Sequence, residues 1–493
     1  MVTLSFSPLF IGCRNESGSS RYIEAPDILL AKGAEVPFAK SQFPDSIVLP
    51  RSLFFSSDHA NVLVGPRQYS DILHAVMNDC RVLYLSERSW GRGLVLQRGL
   101  FSQLIHVEQL VHATICRTLE YGIRQVFMGS TPHSAETFIF ARVAELLGVS
   151  VVYARATAAP WRLEACTGLD DPTTLRLRSD PSAGEKADLL LAVNRYLASL
   201  AERKETGRLA SQRSQRELAG GDRPSWRVAR QQSVEVIRRY GLTKKGLSVS
   251  AATASVNHLE RSRLYGAYSS LAGGVVPRSE KVLAVFLHFQ PERTSMPEGG
   301  IYAQQLALVR TLSLALPSGW RILVREHPSI FRGPNVFSRR YRSPEFYKAL
   351  AGLRNVQLTP MSTSPAELLD HASCVATITG TVGLEALAMG LPVIAFGGPA
   401  WSNAPGVLRV GPARSDAVGN IGEFLAAIDD HARSITLEGI RDFVVDSAAN
   451  GRGPVDSAEA TNAHRAEAIA EVARDWLAWA KSGAHAKLDS DGA

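Results

Sequence analysis

No apolar run in these 493 residues approaches the ~20 that a membrane-spanning helix requires. The start, MVTLSFSPLFIGCRNE, lacks a basic leader and an apolar run long enough for a secretory signal. Together these absences predict a soluble, cytoplasmic protein. Cysteine is scarce: the five residues Cys13, Cys80, Cys116, Cys166 and Cys374 include no C-x-x-C pair, and none has a His or Cys neighbour at metal-ligand spacing. Reduced structural thiols are expected, and no metal site. No internal repeat of solenoid period is visible, which excludes a stacked-repeat architecture.

The remaining composition is that of a packed protein, with 45% apolar and 20% charged residues. The length suits two domains of α/β size. A net charge of +7 suggests nucleic-acid binding only until it is located: residues 203–246 hold twelve Lys and Arg against four Asp and Glu, and the rest of the chain is close to neutral. With Trp226 and Tyr240 as its only aromatics, that segment reads as a solvated helical insert or linker. The alternative is a docking surface for anionic lipid or acidic polysaccharide, giving peripheral contact with the inner face of the plasma membrane. No nucleic-acid partner is expected.

Short apolar runs alternate with amphipathic stretches in both halves. In the first, NVLV (61–64), RVLYL (81–85), RQVFMG (124–129) and SVVYA (150–154) read as buried strands, with helices over Gln103–Tyr121 and Ala135–Leu147. In the second, strands are expected at 281–287, 321–326, 355–358, 374–379 and 392–397. Helices are expected at 301–316, 344–353, 365–372 and 382–389, and a long alanine-rich one at 458–481. Strand and helix in repetition predict parallel sheets covered on both faces. The expected fold is therefore α/β, two Rossmann-like domains facing a cleft, with a basic helical insert and a helical C-terminal tail. The expected divisions are an N-terminal extension (1–44), a first Rossmann-like domain (45–202), the insert (203–280), a second Rossmann-like domain (281–435) and C-terminal helices (436–493) packing back across the domains.

In open α/β sheets ligands gather beyond the carboxyl ends of strands, so chemistry is sought in those loops. Thr379-Gly-Thr-Val-Gly-Leu-Glu385 joins a buried strand to a helix, where the small residues Gly380 and Gly383 and the helix N–H groups suit a phosphate. Glu385 lies where it can accept from ribose hydroxyls; otherwise Thr381 caps the helix and Glu385 complements its dipole. Arg325-Glu-His-Pro328 ends a strand, with Pro328 removing a donor and His327 able to donate to a phosphate or contact a base. In Met361-Ser-Thr-Ser-Pro-Ala-Glu367, Ser364, Pro365 and Glu367 form a capping-box pattern that leaves Ser362 and Thr363 for a phosphate. His288-Phe-Gln-Pro-Glu-Arg-Thr-Ser295 follows the first strand of the second half. From it His288 and Arg293 are candidate nucleotide-sugar contacts and Glu292 a candidate catalytic group, a solvated loop carboxylate being the alternative. In the first half Ser130-Thr-Pro-His-Ser-Ala-Glu136 offers His133 and Glu136 as a base or acceptor contact, unless Ser134 merely caps the helix. No D-x-D stands at the end of an expected strand, so neither metal nor other cofactor is expected beside a nucleotide-sugar donor.

The order Leu287-His-Phe-Gln-Pro-Glu292, Arg325-Glu-His-Pro328, Thr379-Gly-Thr-Val-Gly-Leu-Glu-Ala-Leu387 and Pro392-Val-Ile-Ala-Phe-Gly397 resembles the bacterial capsule polysaccharide biosynthesis family. That family looks like GT-B glycosyltransferases and includes Kdo transferases that use CMP-activated sugar. The resemblance covers residues 281–400 and reaches the first half through 132–154. It implies that His327 contacts the nucleotide, Ser362 and Thr363 its phosphate, and the Gly-Thr turn with Glu385 the phosphate and ribose. It further implies a glycan or lipid-linked glycan acceptor. The sequence departs from bacterial GT-B sialyltransferases in having no Asp/Glu-rich loop to supply a base. Nucleotide-sugar epimerisation, polyol-phosphate transfer and an inactive glycan-assembly scaffold remain alternatives on the same fold.

Overall fold

A computed structural model describes residues 2–6, 28–31, 47–50, 64–82, 85, 100–177, 181–202, 224, 244–273, 280–290, 292, 295–332, 341–411, 416–428, 435–457 and 460–481. The chain divides into two α/β units, Met1–Tyr196 with Arg441–Ala493, and Leu197–Ile440. Two sheets, each wound with helices, make this a GT-B-like two-domain architecture, as the alternation of strand and helix predicts.

The first sheet contains β1 (Val2–Phe6), β2 (Ile28–Ala31), β3 (Ile47–Pro50), β4 (Ile123–Met128), β5 (Ser150–Ala156), β6 (Leu163–Thr167) and β7 (Thr173–Leu175) in the order β3-β2-β1-β4-β5-β6-β7. β1 to β5 pair in parallel, and β6 and β7 add antiparallel. Alternate residues of β4 and β5 serve two cores. Val126, Met128, Val151 and Tyr153 meet Phe140, Ala141 and Ala144 of the helix Ala135–Leu146. Phe127, Val152 and Ala154 meet Ala468, Ile469, Val472, Ala473 and Trp476 of the helix Asn462–Lys481. That 3.6-residue stripe ties the last described helix to the first sheet.

The second sheet is wholly parallel. It contains β8 (Lys281–Phe286), β9 (Trp320–Arg325), β10 (Val356–Leu358), β11 (Cys374–Thr377), β12 (Val393–Ala395) and β13 (Val407–Arg409) in the order β10-β9-β8-β11-β12-β13. Counted within the unit this is 3-2-1-4-5-6, the dinucleotide-binding order, with its switch point between β8 and β11. The strands are short and nearly continuous in burial, as in β11, whose four residues are all buried. Gly148 and Gly390, at φ of 74° and 76°, end the helices that precede β5 and β12. In each case the next residue's N–H reaches back five residues, Val149 to Ala144 and Leu391 to Ala386, both at 2.9 Å. This αL termination is cheap only for glycine and turns the chain from helix into strand.

Several expectations need correction. The stretch 1–44 is not an appended extension, because β1 and β2 lie within it and β1 is central in the first sheet. Arg81, Val82 and Leu85 of RVLYL are helical, and Val64 of NVLV is outside any strand; Asn61–Leu63 lie outside the described residues. Val82 and Leu85 are buried against Val107, Val111 and Phe138 in a helix–helix core, where an apolar run has the same composition as a buried strand. The expected boundary at 281 comes too late. The helix Lys244–Leu271 belongs to the second unit, since Leu264 and Tyr268 are buried with Val324 and Tyr347. Most of the basic segment 203–246 lies outside the described residues. Cys80, Cys116, Cys166 and Cys374 are free thiols.

Trp476 stacks on Phe127 at 5.3 Å between centroids and is 1% exposed, yet its Nε1 has no hydrogen-bond partner. Trp476→Ala is expected to cost about 3–5 kcal/mol by removing this contact. Trp476→Phe, which also removes the unsatisfied N–H, is expected to cost much less. Urea denaturation of both variants checks this; an unchanged Trp476→Ala midpoint would mean that the helix is a detached tail.

Candidate functional site

At the switch point of the second sheet the backbone of His288, two residues beyond β8, is gripped at both ends by one side chain. Gln305 Oε1 accepts from its N–H at 2.7 Å, and Gln305 Nε2 donates to its carbonyl at 3.1 Å. Held this way, the imidazole reaches to the end of β11. Nε2 lies 2.9 Å from Thr377 Oγ1 and accepts from the Ile378 N–H at 3.2 Å, which assigns the ring proton to Nδ1. Thr377 Oγ1 in turn accepts from the Gly380 N–H at 3.3 Å. Burial, with His327 and Arg342 nearby, pushes His288 down to about 3. The ring is therefore a neutral brace between β8 and β11 rather than a cation aimed at an anion.

The brace shapes the turn into the helix Thr381–Ala388. Gly380 is its N-cap, with no side-chain cap hydrogen bond, and Thr381 stands exposed at the first helical position. Thr381 does not cap the helix. A Cβ on Gly380 would lie 2.8 Å from Thr377 Oγ1 and 3.4 Å from the His288 ring, so only glycine passes the brace without displacing it. This helix start, beyond the carboxyl end of β11, has the amide geometry that suits a phosphate. Gly383 has a different reason to be small: its Cβ would come within 2.2 Å of Trp401 Cη2. Thr379 is buried and Glu385 is half-buried in the second turn.

β9 runs beside β8 and delivers the second cluster. Arg325 is buried and donates through Nη1 to the Thr363 carbonyl, fastening the loop after β10 to the end of β9. The His327 N–H donates to Glu326 Oε1 at 2.7 Å, and His327 Nδ1 accepts from the Ser329 N–H at 3.2 Å, leaving the ring proton on Nε2. The ring is half-buried, 5.8 Å from Phe289. Burial and the guanidiniums of Arg342 and Arg325 push it down to about 4, so near neutral pH it is an uncharged donor. Pro328 opens the turn into the short helix Ser329–Arg332. After β10, Ser364 caps the helix Pro365–His371 in a reciprocal capping box with Glu367, while Ser362 is exposed and Thr363 half-buried.

Beneath both clusters lies a pair that the sequence reading missed. Glu326 and Arg342 are 0% and 1% exposed, with Arg342 Nε 2.6 Å from Glu326 Oε2. Glu326 also accepts from Tyr347 Oη at 2.9 Å and from the His327 N–H. Arg342 Nη2, 3.3 Å from Oε1, is a fourth donor to the carboxylate. A glutamate closing an apolar strand was the available signal. Arg342 follows a stretch with no periodicity and gave none.

Glu292 is exposed, and its carbonyl accepts from the Met296 N–H at 2.9 Å. Arg293 lies outside the described residues. In the first unit the loop after β4 is also at a switch point, between β1 and β4. There His133 Nδ1 donates to the Thr131 carbonyl at 2.8 Å, Ser134 caps the following helix, and Glu136 is exposed in its first turn. The second unit thus gathers His288, Arg325, His327, Thr363, Thr379, Gly380 and Thr381 along neighbouring strand ends, and His133 and Glu136 belong to the other unit. Among the described residues no group of three or more His, Cys, Asp or Glu is arranged to hold a metal, and no helix is long and apolar enough to cross a membrane.

Residues 298–440 match the family model described as capsule polysaccharide biosynthesis protein. No curated protein matches. Among solved structures, the chain is similar to the Thermosulfurimonas dismutans KpsC β-Kdo 2,7 transferase at 12% identity, covering 66% of this chain and 87% of that one, with a TM-score of 0.27. It is similar to the UDP-GlcNAc 2-epimerase of Methanocaldococcus jannaschii at 12% identity, covering 90% and 98%, with a TM-score of 0.24. It is also similar to a UDP-forming α,α-trehalose-phosphate synthase of Burkholderia xenovorans at 11% identity, covering 91% and 96%, with a TM-score of 0.28. These likenesses carry no argument about mechanism. The family match covers less than half of the chain, lies within the second unit, and fixes neither reaction nor donor.

A histidine held neutral by the fold binds fewer protons there than in the unfolded chain between its folded value and the ordinary 6.5, so stability falls as pH drops through that window. For His288 and His327 the window runs from 6.5 down to about 3 and about 4. The urea midpoint is expected to fall on acidification below pH 6.5, and less steeply in a His288→Asn protein. Equal slopes in the two proteins would refute a neutral His288.

Proposed function

We propose that this chain is a glycosyltransferase that moves a sugar from a nucleotide-activated donor, CMP-linked in the first instance, to a surface or capsular polysaccharide acceptor. The observation that carries the reading is the placement, along the carboxyl edge of a 3-2-1-4-5-6 parallel sheet, of a helix start without side-chain cap after β11 and a half-buried histidine after β9, on either side of β8 at the switch point. In this reading the donor phosphates meet the amides of the Gly380–Thr381 turn, His327 Nε2 donates to the nucleotide, Ser362 and Thr363 flank its phosphate, and Glu385 receives the ribose hydroxyls. Phosphate charge developing as the nucleotide leaves is met by fixed amide dipoles that need no reorganisation. Glu292 is the proton acceptor of choice, being an exposed carboxylate on the loop that leaves the braced His288. His133 and Glu136 serve the acceptor from the first unit. The matched family model adds the capsular context.

Isothermal titration against CMP, UDP and GDP tests the binding step. One of the three is expected to bind, and His327→Ala is expected to weaken it about tenfold or more. No binding by any of them, with His327→Ala inert, would end this reading. Product analysis then separates reactions: a transferase consumes its donor sugar only with an acceptor present, whereas an epimerase alters the donor alone.

A further inference from the structure

Arg342 uses all of its hydrogen-bonding capacity, and its partners are informative. Nε and Nη2 face Glu326 at 2.6 and 3.3 Å, Nη1 donates to Gln290 Oε1 at 2.8 Å and to the Tyr341 carbonyl at 3.0 Å, and Nη2 also donates to the His288 carbonyl at 3.1 Å. The five N–H bonds of a guanidinium are thereby spent. Its flat face lies 4.6 Å from the Phe346 ring centroid. Two of these partners, His288 and Gln290, belong to the loop after β8. Glu326 belongs to the end of β9 and holds the His327 N–H. Gln290 extends the chain by donating to the Ala303 carbonyl at 2.7 Å, just before the helix that bears Gln305.

We propose that the Glu326–Arg342 pair is a positioning device that fixes the loops His288–Gln290 and His327–Ser329 relative to each other, setting the geometry of the nucleotide site without touching the ligand. This rests on the nucleotide-binding reading of that edge. A sheet alone does not fix these loops: the β8–β9 register ends with Phe286 opposite Arg325, the Leu287 N–H still donates to the Arg325 carbonyl at 2.9 Å, and beyond it the two segments leave the ladder. A planar fork spanning both exits replaces the lost ladder bonds with directional ones. A hydrophobic pair of similar volume would fill the space equally well and is often neutral or stabilising for a fold, so a role limited to stability does not require the ions.

The test uses the full chain with a Glu326→Leu, Arg342→Met double substitution, which leaves no lone buried charge, and an Arg342→Lys variant, which keeps the charge and loses the fork. Hydrogen–deuterium exchange without ligand, read at amides 287–290 and 326–331 against those of the β8 and β9 interiors, is expected to accelerate at the loops alone. Thermal midpoints of the double variant are expected to stay near the parent's, while CMP affinity falls about tenfold or more. Unchanged loop exchange in a folded double variant overturns the proposal, whether or not the parent binds CMP, so failure of positioning and failure of nucleotide binding are separate results. If the double variant does not fold, Arg342→Lys is judged by the same exchange criterion. Affinity that merely tracks the thermal midpoint across both variants also overturns it, because that is the behaviour of a stabilising contact.

Discussion

A carboxylate and a guanidinium removed from water cost several kcal/mol each unless every polar atom finds a partner. In the second unit that demand organises its surroundings. Satisfying Glu326 requires Tyr347 from a neighbouring helix and the His327 amide from the following residue. Satisfying Arg342 requires a carbonyl and an amide oxygen from the loop after β8. Tyr268 closes the set, donating to the Thr359 carbonyl at 2.5 Å while the Glu326 N–H approaches its oxygen at 3.3 Å. Three strand exits, those of β8, β9 and β10, are thus bound to one buried polar centre. The apolar core below them fixes the strands but not the directions in which their loops depart.

The two histidines at this edge illustrate how environment divides one residue type into two roles. His288 is buried with Nε2 occupied by Thr377 and Ile378, and it braces β8 against β11. His327 is half-buried with Nδ1 occupied by the Ser329 N–H, which places its ring proton on Nε2. Both are depressed below 6.5 for the same physical reason, burial beside guanidiniums. The sequence reading named both as nucleotide contacts. It had no means of separating them, because the Nε2 of His288 is occupied by an amide ninety residues away, that of Ile378, whereas His327 takes its amide contact locally, from Ser329.

Much of the fold was legible. The strands KVLAVF, WRILVR and CVAT, and the capping box Ser364–Glu367, are local patterns whose burial and hydrogen bonding follow from neighbours in the chain. RVLYL was misread because an apolar run packed between helices has no periodicity that distinguishes it from a buried strand. The boundary near 281 was misplaced because Leu264 and Tyr268, on a helix otherwise rich in polar and small residues, are core only once β9 and the helix Pro344–Ala351 stand beside them. Of the candidate site, the strand-end loops were visible as motifs. The pair beneath them was not, since Glu326 and Arg342 are sixteen residues apart and Arg342 belongs to no motif.

The sequence by itself determined the alternation of strand and helix, the glycine turns that allow it, and the loops in which polar residues collect. These depend on dihedral preference and apolar spacing over a few residues. Only the tertiary structure decided that β8 and β11 are neighbours, that Gly380 rather than Thr381 caps the helix, that Gly383 is small for Trp401, and that His288 braces β8 against β11. Each of those outcomes is set by a contact between residues far apart in the chain. Such contacts exist only after the sheet has brought its strand ends together.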